Sequence, residues 1–135
     1  MSTQQELKRI ARAFVEDIGR GEVDGALVTN DLVCWASSAP SEFGLPHLRT
    51  MLVLLKRLFP DGLEMTVDHV IVEGDRAAVM SQAHGVLDDG TRYDNFYHYA
   101  LRFEGARICE MREYMDSALV GRVLSPRFKA LMSGS

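Results

Sequence analysis

The amino-acid sequence predicts an α+β fold, with N-terminal helices covering a curved antiparallel sheet. Three observations carry this expectation. First, apolar residues recur at helical spacing in Leu7, Ile10, Ala11, Phe14, Val15 and Ile18, and again in Leu48, Met51, Leu52, Leu55, Leu58 and Phe59. Second, the period changes to two beyond Pro60-Asp61-Gly62, as in strands whose successive side chains point to opposite faces. Third, the alternating stretches 63–72, 77–87, 92–103 and 107–114 are joined by short glycine-containing connections: Glu73-Gly74-Asp75, Asp88-Asp89-Gly90 and Glu104-Gly105. Four strands so joined form an antiparallel meander. Helices that precede it must cover one of its faces. A curved sheet capped in this way leaves a cone-shaped cavity, and the mouth of the cone is a ligand site.

The remaining elements follow in order. Thr3 and Glu6 have the spacing of a capping box for the first helix, and Gly19 and Gly21 stop it. Residues 22–28 suggest a second, short helical piece, and 32–35 a short strand. Residues 36–44 are small and polar, which reads as a loop. Pro46 opens the next helix, where its missing N–H costs little. The stretch 119–131 is mixed, with Pro126 interrupting it.

With 135 residues the chain is a single domain, 1–135. A hydrophobic content of 47% is enough for an ordinary globular core, but no apolar run approaches the roughly 20 residues of a membrane span. No apolar leader follows the start, so no signal peptide is expected. A net charge of −4 without a basic stripe argues against a nucleic-acid surface. Cys34 and Cys109 are too few for a disulfide framework and read as reduced core thiols of a cytoplasmic protein. No cofactor is expected. His47, His69, His84 and His98 are scattered without metal-ligand spacing, phosphate-cradling glycine loops are absent, and Ser37, Ser38 and Ser41 lack a nucleophile elbow.

The stretch from Gly90 to Ser117 is the richest in chemistry. Tyr93, Asn95, Tyr97, Tyr99, Leu101 and Phe103 alternate with Asp94, Phe96, His98, Ala100 and Arg102. On the following strand, alternation puts Glu113 on one face with Cys109, Met111 and Met115. A carboxylate on an apolar face must be paired or hold a proton. An aromatic face beside one such acid is the make-up of a small-molecule pocket. Glu113 is the first candidate for a catalytic group, either as a general acid or as a structural carboxylate held by an arginine or a tyrosine hydroxyl. His84 shares a face with Met80 and Gln82. It is either a proton-transfer partner of Glu113 or a hydrogen-bonded sheet histidine. Asn95 and Tyr97, with Tyr99, Met111 and Gln82, are candidate ligand contacts. Trp35 would either stack on a flat ligand at the cone's mouth or pack in the core.

Three motifs together resemble a known family. They are Tyr93-x-Asn95-x-Tyr97, Phe103-Glu104-Gly105-Ala106-Arg107-Ile108 and Arg112-Glu113-Tyr114-Met115-Asp116. They resemble the SnoaL-like branch of the nuclear-transport-factor-2-like superfamily, which also holds ketosteroid isomerases, limonene epoxide hydrolases and scytalone dehydratases. The resemblance implies a cone of cystatin-like type and a homodimer packed through the sheet's outer face, where Phe96 and His98 would serve. It implies a role for Glu113 like that of an acid which protonates or orients substrate in epoxide-hydrolase relatives. Gln82 and His84 stand where those relatives have an arginine and an aspartate, so epoxide hydrolysis is disfavoured. In related cyclases an acid near the last strand acts as base. Asp116 is the candidate for that role, although Asp116-Ser117-Ala118-Leu119 also reads as a helix N-cap. The residues of ketosteroid isomerases are not matched: Cys34-Trp35-Ala36-Ser37-Ser38-Ala39-Pro40 holds no acid, the next being Glu42, which would substitute only if the loop folds inward, and no tyrosine precedes Tyr93.

The expected function is binding of a lipophilic small molecule, with cofactor-free isomerase, cyclase, dehydratase or hydrolase chemistry by general acid–base catalysis. A non-catalytic binding module and a protein-interaction domain are the alternatives.

Overall fold

In the computed structural model, which describes residues 3–133, helix α1 (Thr3–Gly19) buries the whole predicted stripe from Leu7 to Ile18. Its capping-box acid, Glu6, instead pairs with Arg9 at 2.6 Å. The helix lies across the sheet and ends against the strand that begins at Leu63. A Cβ on Gly19 would stand 2.7 Å from the Leu63 carbonyl oxygen, so only glycine allows this approach.

The short helical piece expected at 22–28 does not form. The carboxylate of Asp24 accepts from Ala26 N–H at 2.9 Å and its carbonyl from Leu27 N–H at 3.0 Å, making a turn. Strand β1 (Val28–Ala36) begins directly after it and is longer than expected. The expected loop 36–44 is a second correction: it is a hairpin whose return strand is β2 (Ala39–Gly44). This edge strand is mostly exposed, so nothing forces its side chains to alternate. Gly44 then caps helix α2 (Leu45–Leu58), which carries Pro46 in its first turn.

The predicted meander is present as β3 (Leu63–Glu73), β4 (Arg76–Val86), β5 (Arg92–Glu104) and β6 (Arg107–Met115). The sheet order is β2-β1-β6-β5-β4-β3. All neighbours are antiparallel except β1 and β6, which run parallel. The result is a curved, unclosed, mixed sheet with helices over one face. The tail forms α3 (Ser117–Val123) and α4 (Ser125–Met132), with Pro126 in the first turn of α4. Leu119, Val120, Val123, Phe128 and Leu131 pack against the core from there.

Cross-strand register fixes the two faces. Val79, Ser81 and Ala83 of β4 pair with Tyr99, Tyr97 and Asn95 of β5, and Tyr99 pairs with Glu113 of β6. These residues face inward. Gly85 pairs with Tyr93, and a Cβ on it would stand 2.9 Å from the Phe59 ring, so the glycine lets Phe59 lie against the sheet beside Tyr93. A bulge interrupts β6. Arg102 pairs with Glu110 and Phe103 with Ile108, leaving Cys109 unpaired. Cys109 therefore drops out of the alternation and does not share the face of Glu113 as expected. No helix among the described residues is long and apolar enough to cross a membrane.

Candidate active site

The inner face of β5 and β6 forms a ladder of paired side chains. Its rungs run from Phe103 and Ile108 through Leu101 and Met111, then Tyr99 and Glu113, to Tyr97 and Met115. The parallel strand β1 adds Cys34 beside Met111 and Ala36 beside Glu113. Met111 and Tyr99 are buried, whereas Tyr97, Glu113, Met115, Ala36 and Ser37 are half-buried. The ladder thus passes from closed core to partly open rim. Ser37 secures the rim: its Oγ accepts from Met115 N–H at 3.3 Å, and its own N–H donates to the Glu113 carbonyl at 2.9 Å.

Glu113 meets one partner. The Tyr99 hydroxyl donates to its Oε2 at 2.8 Å. No ion pair involving Glu113 occurs among the described residues. Desolvation raises its pKa above the usual carboxylate range, and the Tyr99 bond offsets this only in part. The same crowding pushes the Cys34 thiol up to about 12, with the nearby Glu113 adding to it. Cys34 is thus an inert core thiol rather than a nucleophile. Tyr97 and Tyr99 are held well above the ordinary phenol value, first by burial and then by Glu113, so both remain neutral donors. Their rings stack with centroids 6.0 Å apart and planes 14° apart.

A second group of polar contacts lies beside this pair. The hydroxyls of Tyr93 and Tyr97 are 2.5 Å apart. Asn95 Nδ2 donates to the Tyr93 hydroxyl at 2.8 Å and to the Asp116 carbonyl at 3.3 Å, and Asn95 Oδ1 accepts from Asp116 N–H at 3.2 Å. The Asp116 carboxylate accepts from Leu119 N–H at 3.1 Å, as the N-cap of α3. Asp116 thus joins the site through its backbone, while its side chain holds the helix.

Three candidates lie elsewhere. His84 and Gln82 pair with Asp94 and Phe96, on the outer face. The expected His84–Glu113 pair therefore does not form, because the sheet separates them. His84 Nδ1 instead lies 2.6 Å from Asp94 Oδ1, and Gln82 donates to Asp68 at 3.1 Å. Arg92 and His84 together draw the Asp94 carboxyl down to about 2. Trp35 also faces outward, in register with Arg112. The Arg112 guanidinium lies 4.7 Å from its ring, and Tyr114 packs on it at 5.3 Å. Trp35 is therefore not at the mouth of the cone.

Sequence reasoning gave Tyr93 less weight than Asn95 and Tyr97, yet Tyr93 joins them. Its place in the alternation, on one face with Asn95 and Tyr97, was the available signal. Two open depressions lie outside the cone. One is bordered by Asp17, Glu22, Arg49 and Val53, the other by Asn30, Glu42, Phe43 and Pro46. Of the acids of the first, Asp17 pairs with Arg20, Glu22 with Lys56, and the Asp24 carboxylate accepts from Ala26 N–H.

A curved mixed sheet with helices over one face is an α+β fold of the nuclear-transport-factor-2-like type. Residues 11–111 match the SnoaL-like domain, and the chain belongs to that family. Solved structures share the fold. A protein from Jannaschia sp. CCS1, assigned to the SnoaL-like polyketide cyclases, is 22% identical with a TM-score of 0.74, covering 93% of this chain and 95% of that one. An LEH-like epoxide hydrolase from M. tuberculosis is 18% identical with a TM-score of 0.73, covering 99% of this chain and 100% of that one. A protein of ketosteroid-isomerase-like fold from Catenulispora acidiphila DSM 44928 is 15% identical with a TM-score of 0.67, covering 78% and 83%. No curated protein matches the chain.

Proposed function

We propose that the open end of the cone binds a lipophilic small molecule and that Glu113 moves a proton on it, without a cofactor, in an isomerase, cyclase, dehydratase or hydrolase reaction. One observation carries this reading: Glu113 is desolvated on the inner face, and among the described residues its carboxyl is held by the Tyr99 hydroxyl alone. A carboxyl in that setting keeps its proton to higher pH, as a general acid working near neutrality requires. Tyr99 fixes Oε2 and leaves Oε1 for the ligand. Asp116 supports the site as a helix cap, and its carboxylate takes no part in proton transfer.

A second reading, a binding module without catalysis, is favoured by the outward placement of His84, which leaves Glu113 without an imidazole partner. The proposed assembly is a homodimer through the outer face, where Phe96 is 74% exposed and Tyr114 and Trp35 lie nearby. The two free thiols accord with a cytoplasmic setting.

The test is incubation of the protein with a panel of terpene epoxides, steroid enones and polyketide-like aromatics, followed by chromatography with mass detection. Conversion by wild type and none by Glu113→Gln supports the enzyme. Compounds retained but unchanged support the binding module. A panel neither bound nor changed overturns both readings and favours a protein-interaction domain.

A further inference from the structure

The hydrogen bonds around Asn95 run in one direction, and that direction ends at the hydroxyl of Tyr97. Asp116 N–H can only donate, so the Asn95 atom 3.2 Å from it must be the amide oxygen. The amide nitrogen then faces the Asp116 carbonyl and the Tyr93 hydroxyl, to both of which it can donate. The Tyr93 oxygen is therefore an acceptor from Asn95. Tyr93 is fully buried, and among the described residues its hydroxyl hydrogen has one remaining partner, the Tyr97 oxygen 2.5 Å away. If Tyr97 donated to Tyr93 instead, the hydrogen of Tyr93 would be buried unused, which is costly. Tyr93 accordingly donates to Tyr97. The hydrogen of Tyr97 is left over.

Tyr97 occupies the rung nearest the rim, opposite Met115, and is half-buried. Its ring is fixed by stacking on Tyr99. We infer that the Tyr97 hydroxyl, aligned by Asn95 through Tyr93, is the hydrogen-bond donor that selects a carbonyl oxygen on the ligand. This rests on the proposal that the open end of the cone binds lipophilic molecules. The nearby hydroxyl of Ser81 is committed to the Tyr97 carbonyl at 3.3 Å and does not compete. A carbonyl only accepts, so it answers the spare hydrogen without stranding a donor of its own against Met115 and the ring faces. Asn95 and Tyr93 are positioning residues, and Tyr97 is the ligand contact.

The test compares 1-tetralone with tetralin, the same skeleton without the carbonyl, by calorimetric titration. Wild type should favour the ketone by roughly fivefold, the usual return of one hydrogen bond. Tyr97→Phe should bring the ratio close to one. Tyr93→Phe should lower the ratio by about twofold, because Tyr97 loses the donor that polarises it. A ratio that rises in Tyr93→Phe overturns the inference, since it would mean that Tyr97 had been donating to Tyr93. Equal binding of both compounds by wild type overturns the inference and leaves the lipophilic site standing. Binding of neither removes both. Infrared spectroscopy on wild type requires no variant to fold: the carbonyl stretch of bound 1-tetralone should fall below its value in alkane. An unshifted stretch overturns the inference.

Discussion

Glu113 and Asp94 are carboxylates on adjacent strands, yet they face opposite sides of one sheet and are driven in opposite directions. Outside, Arg92 and His84 hold Asp94 ionised and draw it down to about 2. Inside, desolvation raises Glu113 and a single phenol steadies it. The difference lies in company rather than in residue type. The outer acid has an arginine and an imidazole within hydrogen-bond reach, and the inner one has tyrosines. Strand alternation separates the two environments by one sheet thickness. The inner face thus holds a desolvated acid, and the outer face a fixed charge pair.

The strongest way to break this comparison is to remove the inner proton. Glu113→Gln should reduce turnover of any converted panel compound by about a hundredfold or more while 1-tetralone affinity holds. Steady-state rates set beside calorimetry decide it, and full activity removes Glu113 from the chemistry. The next largest effect belongs to the outer face. Phe96→Asp should weaken self-association by roughly tenfold or more, as loss of an aromatic anchor does, with the inner site intact. Sedimentation at several concentrations would show it. Unchanged association sends the interface elsewhere.

Opposite shifts also demand opposite pH dependence. Glu113 binds its proton more tightly folded than unfolded, so the fold loses stability as pH rises above 4.5 toward the raised value. Glu113→Gln should therefore gain on wild type over that range in urea unfolding. Asp94 binds its proton less tightly folded, so its contribution is complete above 3.8 and disappears as pH falls toward about 2. The stability gap between wild type and Asp94→Asn should close over that window. Gaps that move in the same direction would show that the two environments are not distinct. The smallest effect is expected from His84→Ala, an exposed outer-face change that should alter turnover by less than about twofold. A large loss would mean that His84 reaches the site after all.

The sequence made α1, α2, the meander and the faces of β5 legible, because each of those elements buries one side and so carries its own period. It did not make legible how one strand's face aligns with another's. His84 and Glu113 each sit on a recognisable face, but only register tells whether the two faces coincide. A clue was present: Ala77, Val79 and Ala83 form the more apolar side of β4, which marks Met80, Gln82 and His84 as outward. Cys34 and Leu32, both buried, mark Trp35 as outward in the same way. Strand β2 stayed hidden because an exposed edge held by backbone bonds needs no side-chain pattern. The bulge at Cys109 broke an alternation that had seemed to run unbroken to Met115.

The parallel pairing of β1 with β6 also bears on how the chain reaches its native state. Ser37 and Met115, which meet at the rim, are 78 residues apart in sequence. The meander can assemble from neighbours, but this junction must wait for a long loop to close, and contacts of such separation slow folding. During synthesis, β1 would be made long before its partner, leaving its hydrogen-bonding edge open to the wrong strands. The rim of the cone is thus among the last parts of the molecule to be completed.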